Sequence, residues 1–318
     1  MGKPILLVKT SSLGDVVHAL PVINDMRSCA AVTTVDWVVE DIFAGVLRLH
    51  SGVSRVLEVA VRRWRRALLN PDCRLEFSAF VAALREKRYE AIIDAQGLLK
   101  SALIARAARG LRYGLDWRSS REPLRFLYHR TFAVPWGVHA VERNRLLAAR
   151  VLGYEVPVGC DYGISAPVRA FDWLPPGHYA VLLHATSGDY KLWSEAHWIE
   201  LGRRLDECGM RCVLAWGSPA ERDRASRIAD HMRCVVIAPA LDIGELAGLL
   251  AGAKAVVGAD TGLTHLAGAL GVPTVGVYCG TDPGATGLYG CARAASLGGV
   301  GRPPQPAEVM GALATLWS

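Results

Sequence analysis

The sequence contains no apolar run near the roughly 20 residues that cross a bilayer, and its first apolar stretch, Pro4 to Val8, stops at Lys9. A spanning helix and a signal peptide are therefore not expected, and a cytoplasmic protein is. Eight cysteines are scattered along the chain, and the one close pair, Cys208 and Cys212, lacks a second pair to complete a zinc site. They read as buried thiols. The loop after the first apolar stretch, TSSLGD, supplies one glycine where a dinucleotide fingerprint needs three, so a nicotinamide cofactor is not expected. No D-x-D triplet occurs, and a metal-bridged diphosphate of the kind it serves is not indicated. Aromatic residues make up 8% of the chain and no nucleic-acid module is recognisable, which leaves nucleic acid a weak candidate partner. Internal repeats and low-complexity tracts are absent.

What is present fills two cores. The chain has 318 residues, 51% of them hydrophobic. The net charge of +6 is uneven: residues 1–165 carry 24 Lys/Arg against 16 Asp/Glu, and residues 166–318 carry 12 against 14. The first half therefore suits a polyanion, whether nucleic acid, membrane surface or phosphorylated substrate. Short β-branched or aliphatic runs (5–8, 35–39, 56–59, 91–94) alternate with helical patterns at 16–27, 77–87 and 100–108. A second series starts at Tyr179 and alternates in the same way through Tyr278. Both series predict βαβ units on a parallel sheet, that is, an α/β protein with two Rossmann-like halves. The proline-rich stretch 166–177 is the linker candidate. Two such domains leave a cleft, and ligands of these sheets bind beyond the carboxyl ends of the strands.

Several candidates lie at such ends. Asp15 follows the first strand and opens a helix, where a carboxylate caps backbone N–H groups well. In GADTGLTHLAG, Asp260, Thr261 and Gly262 open a helix whose free N–H groups and dipole suit a diphosphate. Asp260 would repel phosphate, so it either caps that helix or accepts from sugar hydroxyls. His265, one turn on, reads equally as a packed side chain. HATSGDYK supplies Thr186, Ser187 and Lys191, the last able to neutralise a diphosphate or to stand as an exposed loop lysine. Glu221 could accept from ribose hydroxyls, though a first-turn glutamate complementing the dipole is the simpler account. In VRRWRRALL, Arg62, Arg63 and Arg65 flank Trp64; the arginines match phosphate or carboxylate, and Trp64 with Leu68 and Leu69 could touch lipid. A solvated charged face is the alternative.

As a set and in this order, KTSSLGDVVHALP, RRWRR, DAQGLLKSA, SREP, HAVER, KLWSEAHW and ADTGLTHLAGALGVPTVGVY resemble the lipopolysaccharide heptosyltransferase I family over most of the chain. The resemblance implies the GT-B architecture: an acceptor domain over residues 1–168, a donor domain over 169–318, and a C-terminal helix (305–317) that packs back on the first domain. It implies a metal-independent inverting glycosyltransferase that moves heptose from ADP-L-glycero-β-D-manno-heptose, a co-substrate, to the Kdo of Kdo2-lipid A. No cofactor is implied. Asp15 then matches the general base, and Thr186, Ser187, Lys191, Glu221, Asp260, Thr261, Gly262 and His265 match the donor site. Arg62, Arg63, Arg65 and Arg121 match acceptor-binding positions. The location implied is cytoplasmic, peripheral to the inner face of the inner membrane. A heptosyltransferase acting later in the core and a non-catalytic polyanion-binding protein are the competing readings.

Overall fold

The computed structural model describes residues 3–67 and 70–317. The chain divides into two compact units, Met1–Gly163 and Ile164–Ser318, five residues before the boundary the sequence suggests.

The first unit runs β1 (Lys3–Val8), α1 (Leu13–Val17), α2 (Pro21–Cys29), β2 (Val32–Glu40), α3 (Ala44–Leu47), β3 (Arg55–Val59), α4 (Val61–Arg66), α5 (Pro71–Arg85), β4 (Arg88–Asp94), α6 (Leu99–Ala107), β5 (Arg109–Leu115), β6 (Arg130–Phe132) and α7 (Ala140–Leu152). Its sheet is parallel throughout, in the order β3-β2-β1-β4-β5-β6. Leu6, Val8, Val38 and Ile92 on one face meet Trp64, Phe80 and Leu84 from α4 and α5. Pro21 splits the helix expected over 16–27, because proline lacks the N–H that a continuing helix needs. By contrast α5 starts six residues before the periodicity begins, since the Asn70 side chain accepts from Asp72 N and Cys73 N and Pro71 takes the first helical position. The strands β5 and β6 escape sequence reading. β5 is rich in arginine and glycine, and Gly114 lies under the Tyr128 ring, where a Cβ would come within 2.6 Å.

The second unit runs β7 (Tyr179–Leu183), α8 (Glu195–Glu207), β8 (Arg211–Leu214), α9 (Pro219–Ala229), β9 (Val235–Ile237), α10 (Ile243–Ala251), β10 (Ala255–Ala259), α11 (Gly262–Ala269), β11 (Thr274–Tyr278), α12 (Pro283–Thr286), β12 (Ala294–Gly298) and α13 (Pro306–Trp317). The parallel order β12-β11-β10-β7-β8-β9 repeats the topology of the first sheet. The C-terminal helix α13 buries Val309 and Leu313 in the second core, against α8 and β11, because those positions are its apolar stripe and that face of the sheet needs covering. The thiol reading is corrected in part. Of the eight cysteines only Cys73 and Cys212 are buried, while Cys29, Cys208 and Cys234 are exposed near element ends. Among the described residues no helix is long and apolar enough to cross a membrane.

Candidate active site

In each unit the strand order reverses beside the first strand, between β1 and β4 and between β7 and β10. The crevice beyond the carboxyl ends at such a switch point is where doubly wound sheets bind ligands. Asp15 lies at the first of these places and Thr186, Ser187, Lys191, Asp260, Thr261, Gly262 and His265 at the second, whereas Arg62, Arg63 and Arg65 follow the edge strand β3 and Glu221 follows β8.

In the first unit the loop after β1 is held by the loop after β4. Gln96 Oε1 accepts from Thr10 N and Ser11 N, both at 3.1 Å, and Lys100 Nζ donates to Ser11 Oγ at 2.8 Å. Behind Gln96, buried Asp94 accepts from Gln96 N, Gly97 N, Ser101 Oγ and Tyr128 OH. Burial still raises its pKa against those four donors. Asp15 lies in the first turn of α1, and its Oδ2 accepts from Ser12 N at 2.9 Å and Ser12 Oγ at 3.1 Å. The cap differs from the one anticipated: Ser12, not Asp15, is the N-cap of α1, and Asp15 sits three residues on and reaches back to the Ser12 N–H as the acidic half of a capping box. Its other oxygen, Oδ1, lies 3.8 Å from Lys9 Nζ, and the side chain remains 45% exposed. Lys9 is buried, donates to Ala95 O at 3.0 Å, and is lowered in pKa by burial, with Asp15 and Asp94 opposing and Arg121 adding to the shift. Arg121 is exposed, and its charge reaches Lys9 and Arg143 alike. An exposed carboxylate thus stands among several cations at a switch point.

The arginine segment is helical: residues 61–66 form α4, and helical spacing splays three arginines at 62, 63 and 65 over more than one face. Arg62 and Arg65, three apart, share an exposed face. Arg63 is turned away and pairs with Glu76 at 2.8 Å and Asp41 at 3.3 Å. Nor does Trp64 face lipid: it is 8% exposed, donates Nε1–H to Glu76 Oε2 at 2.9 Å and meets Phe77 and Phe80 edge-on or tilted. A large ring next to an apolar sheet face is worth more buried than wet. Leu68 and Leu69, the other expected lipid contacts, lie outside the described residues.

In the second unit Asp260 is the hub. It directly follows β10, is 8% exposed, and neither caps α11 nor points at solvent. Its Oδ2 accepts from Lys191 Nζ at 2.8 Å and Thr281 Oγ1 at 2.7 Å, and His265 Nε2 lies 3.6 Å from Oδ1. Burial opposes ionisation, but His265, Lys191 and Thr281 outweigh it and hold the carboxyl well below the usual carboxylate range. Thr186 Oγ1 donates to Asp260 O at 2.7 Å, so the loops after β7 and β10 are tied together. The close approach of α11 depends on Gly258, where a Cβ would meet Thr264 Oγ1 at 2.0 Å. Thr261 occupies the N-cap of α11 and Gly262 its first position, where backbone N–H groups lack intrahelical acceptors. Glu221 Oε2 accepts from Gly217 N at 2.7 Å, a local helix-start contact. Ser187 is exposed beside these groups. The sequence reading missed Gln96, Lys100, Lys9 and Thr281 as members of these clusters; their place directly after β1, β4 and β11 was the available signal. Among the described residues no three His, Cys, Asp or Glu side chains group as metal ligands.

Residues 77–313 match the family model of glycosyltransferase family 9 (heptosyltransferase). Lipopolysaccharide heptosyltransferase 1 of Escherichia coli strain K12 is 46% identical over 289 residues, which covers 90% of this chain and 91% of that protein. The structure of E. coli heptosyltransferase WaaC with ADP matches with a TM-score of 0.88 at 41% identity, over 98% of this chain and 99% of that one. The same enzyme with ADP-2-deoxy-2-fluoro heptose matches with a TM-score of 0.84, again at 41% identity and over the same shares. With the two switch-point clusters and these matches in hand, the chain belongs to glycosyltransferase family 9, the heptosyltransferases.

Proposed function

We propose that the protein transfers L-glycero-D-manno-heptose from ADP-heptose to the Kdo of Kdo2-lipid A, the first heptose of the lipopolysaccharide inner core. The observation that carries this reading is the Asp15 loop: a half-exposed carboxylate at a switch point, among Lys9, Lys100 and Arg121, in a chain of this family. A Kdo hydroxyl attacks the anomeric carbon, the C–O bond to the diphosphate breaks as the new glycosidic bond forms, and the anomeric centre inverts. Asp15 takes the proton. Its Oδ2 is engaged by Ser12, so Oδ1 is the receiving oxygen. The second unit holds the donor: the N–H groups that open α11 and the ammonium of Lys191 meet the diphosphate, with Asp260 setting the position of Lys191. No metal takes part in this scheme. Incubation with ADP-heptose and either Kdo2-lipid A or an acceptor already carrying heptose tests it. Product from the second acceptor alone would sink the first-heptose assignment.

Arg62, Arg65 and Arg121 bind the anionic acceptor in this reading, and Arg63 chiefly holds α4 to its neighbours. Arg62→Ala with Arg65→Ala is expected to raise the acceptor KM at least about tenfold, with deacylated and acylated acceptor alike, as charged hydrogen bonds are lost. ADP binding should not move. A normal KM with deacylated acceptor would reassign the pair to the membrane surface.

The protein also works at the inner face of the inner membrane, where its acceptor resides. Supporting this, Phe126, Trp117 and Trp136 are 91, 61 and 52% exposed in the first unit, and Arg118 and Arg143 stack over the two indoles at 4.9 and 4.0 Å. Aromatic rings beside guanidinium groups suit an anionic bilayer surface. Phe126→Ser with Trp117→Ser should lower partition onto vesicles containing anionic lipid by about tenfold or more, since each ring withdrawn costs roughly 1.5–3 kcal/mol. Unchanged cosedimentation with such vesicles would contradict the role.

A further inference from the structure

Beside α4 the first unit has a cavity of about 880 Å³ that the proposed chemistry does not use. Its size falls within the roughly 300–1,000 Å³ typical of ligand sites. Trp64, Phe80 and Ile104, all buried, form the floor. Phe77 from α5 and Leu99 and Leu103 from α6 form the walls, and each is 51–52% exposed. Leu99 and Leu103 are four apart on one helix, and Phe77 and Phe80 are three apart on the other, so two apolar stripes face one space. The sheet already has its cover on this side, and Phe77 touches Trp64 while about half its surface stays exposed.

The lining is not wholly apolar. Arg65, Arg74 and Lys100 also border the cavity, and the one carboxylate in its lining, Glu122, is occupied by Leu99 N at 2.6 Å. Lys100 also donates to Ser11, whose neighbour Ser12 is capped by Asp15. Through Lys100 the cavity lining thus touches the loop that carries the proposed base. We infer that it takes one aliphatic chain of the anionic lipid that serves as acceptor, with the cations of its lining meeting the lipid's anionic group. This rests on the acceptor named above. The match is one of charge and polarity: an amphiphile carries its anion beside its chain, and an apolar helix of a partner protein would find no reason for three cations around an apolar cavity.

The test compares KM for acylated acceptor with KM for its deacylated counterpart, in the full-length protein and in Leu103→Gln and, separately, Phe77→Gln. Both sites are half exposed, so folding should survive. The ratio of the two KM values is expected to rise about tenfold in each variant, because each methylene returned to water weakens binding about fourfold. An unchanged ratio overturns the inference. Calorimetry with dodecyl phosphate and with inorganic phosphate gives a second reading that needs no turnover. Dodecyl phosphate should bind about tenfold more weakly to the variants and inorganic phosphate equally well; equal loss of both, or loss of neither, overturns the inference. A wild-type dimer dissolved by Leu103→Gln with no change in either measurement would make the cavity an interface between copies instead. If the wild type transfers no heptose at all, the proposed function fails while calorimetry still decides what the cavity holds.

Discussion

Asp15→Asn is expected to cut heptose transfer by at least about a hundredfold while changing ADP affinity less than about threefold, the signature of a lost general base. Asparagine is the informative replacement. Its carbonyl can still accept from Ser12 N, the contact that caps α1, so the loop stays formed. What disappears is the ability of Oδ1 to take a proton, together with the charge that faces Lys9. Asp15→Ala removes the cap as well and should lose somewhat more, with a fall in melting temperature that the asparagine variant does not show. Turnover by the asparagine variant within about threefold of wild type would make Asp15 a cap and nothing else.

The second large effect concerns Lys191→Ala, which removes a cation from the donor site and strands a buried carboxylate. ADP should bind about thirtyfold more weakly, roughly 2 kcal/mol, and turnover should fall with it, because the same charge meets the diphosphate before and during its departure. Stability should fall too, since Asp260 keeps only His265 and Thr281 nearby. The pH dependence has a definite sign. The folded pKa of Asp260 lies below its ordinary value, so the pair's contribution is fully present above the unfolded carboxylate pKa of about 3.9 and is lost as pH falls through the folded value. The stability gap between wild type and variant should therefore be widest near neutrality and shrink below about pH 4. Chemical denaturation at a series of pH values checks this. A gap that stays constant into the acid range would show that Lys191 stabilises the fold by packing and not by charge.

Much of this was legible from local pattern. The two βαβ series, the loop at Asp15 and the helix start at Asp260 to Gly262 follow from periodicity and from residue types at strand ends. Reading failed where a neighbour decided the outcome. Arg62, Arg63 and Arg65 look alike in the chain and all three are exposed, yet Arg63 pairs with Asp41 and Glu76 while Arg62 and Arg65 share another face of α4. Trp64 reads as a lipid anchor between arginines, but its ring completes the core under α5.

What the sequence alone determined is the set of local choices: where strands run apolar, where Pro21 and Pro71 start helices, and which polar residues sit at the ends. Only the tertiary structure decided which ends meet. Gln96 holds the backbone of Ser11 from 85 residues away, and Thr186 reaches the carbonyl of Asp260 across 74. Those pairings exist because parallel strands joined by helical crossovers place β4 beside β1 and β10 beside β7. A buried strand is apolar on both faces whatever its neighbours are, so its own residues do not record which loops will stand together at its end.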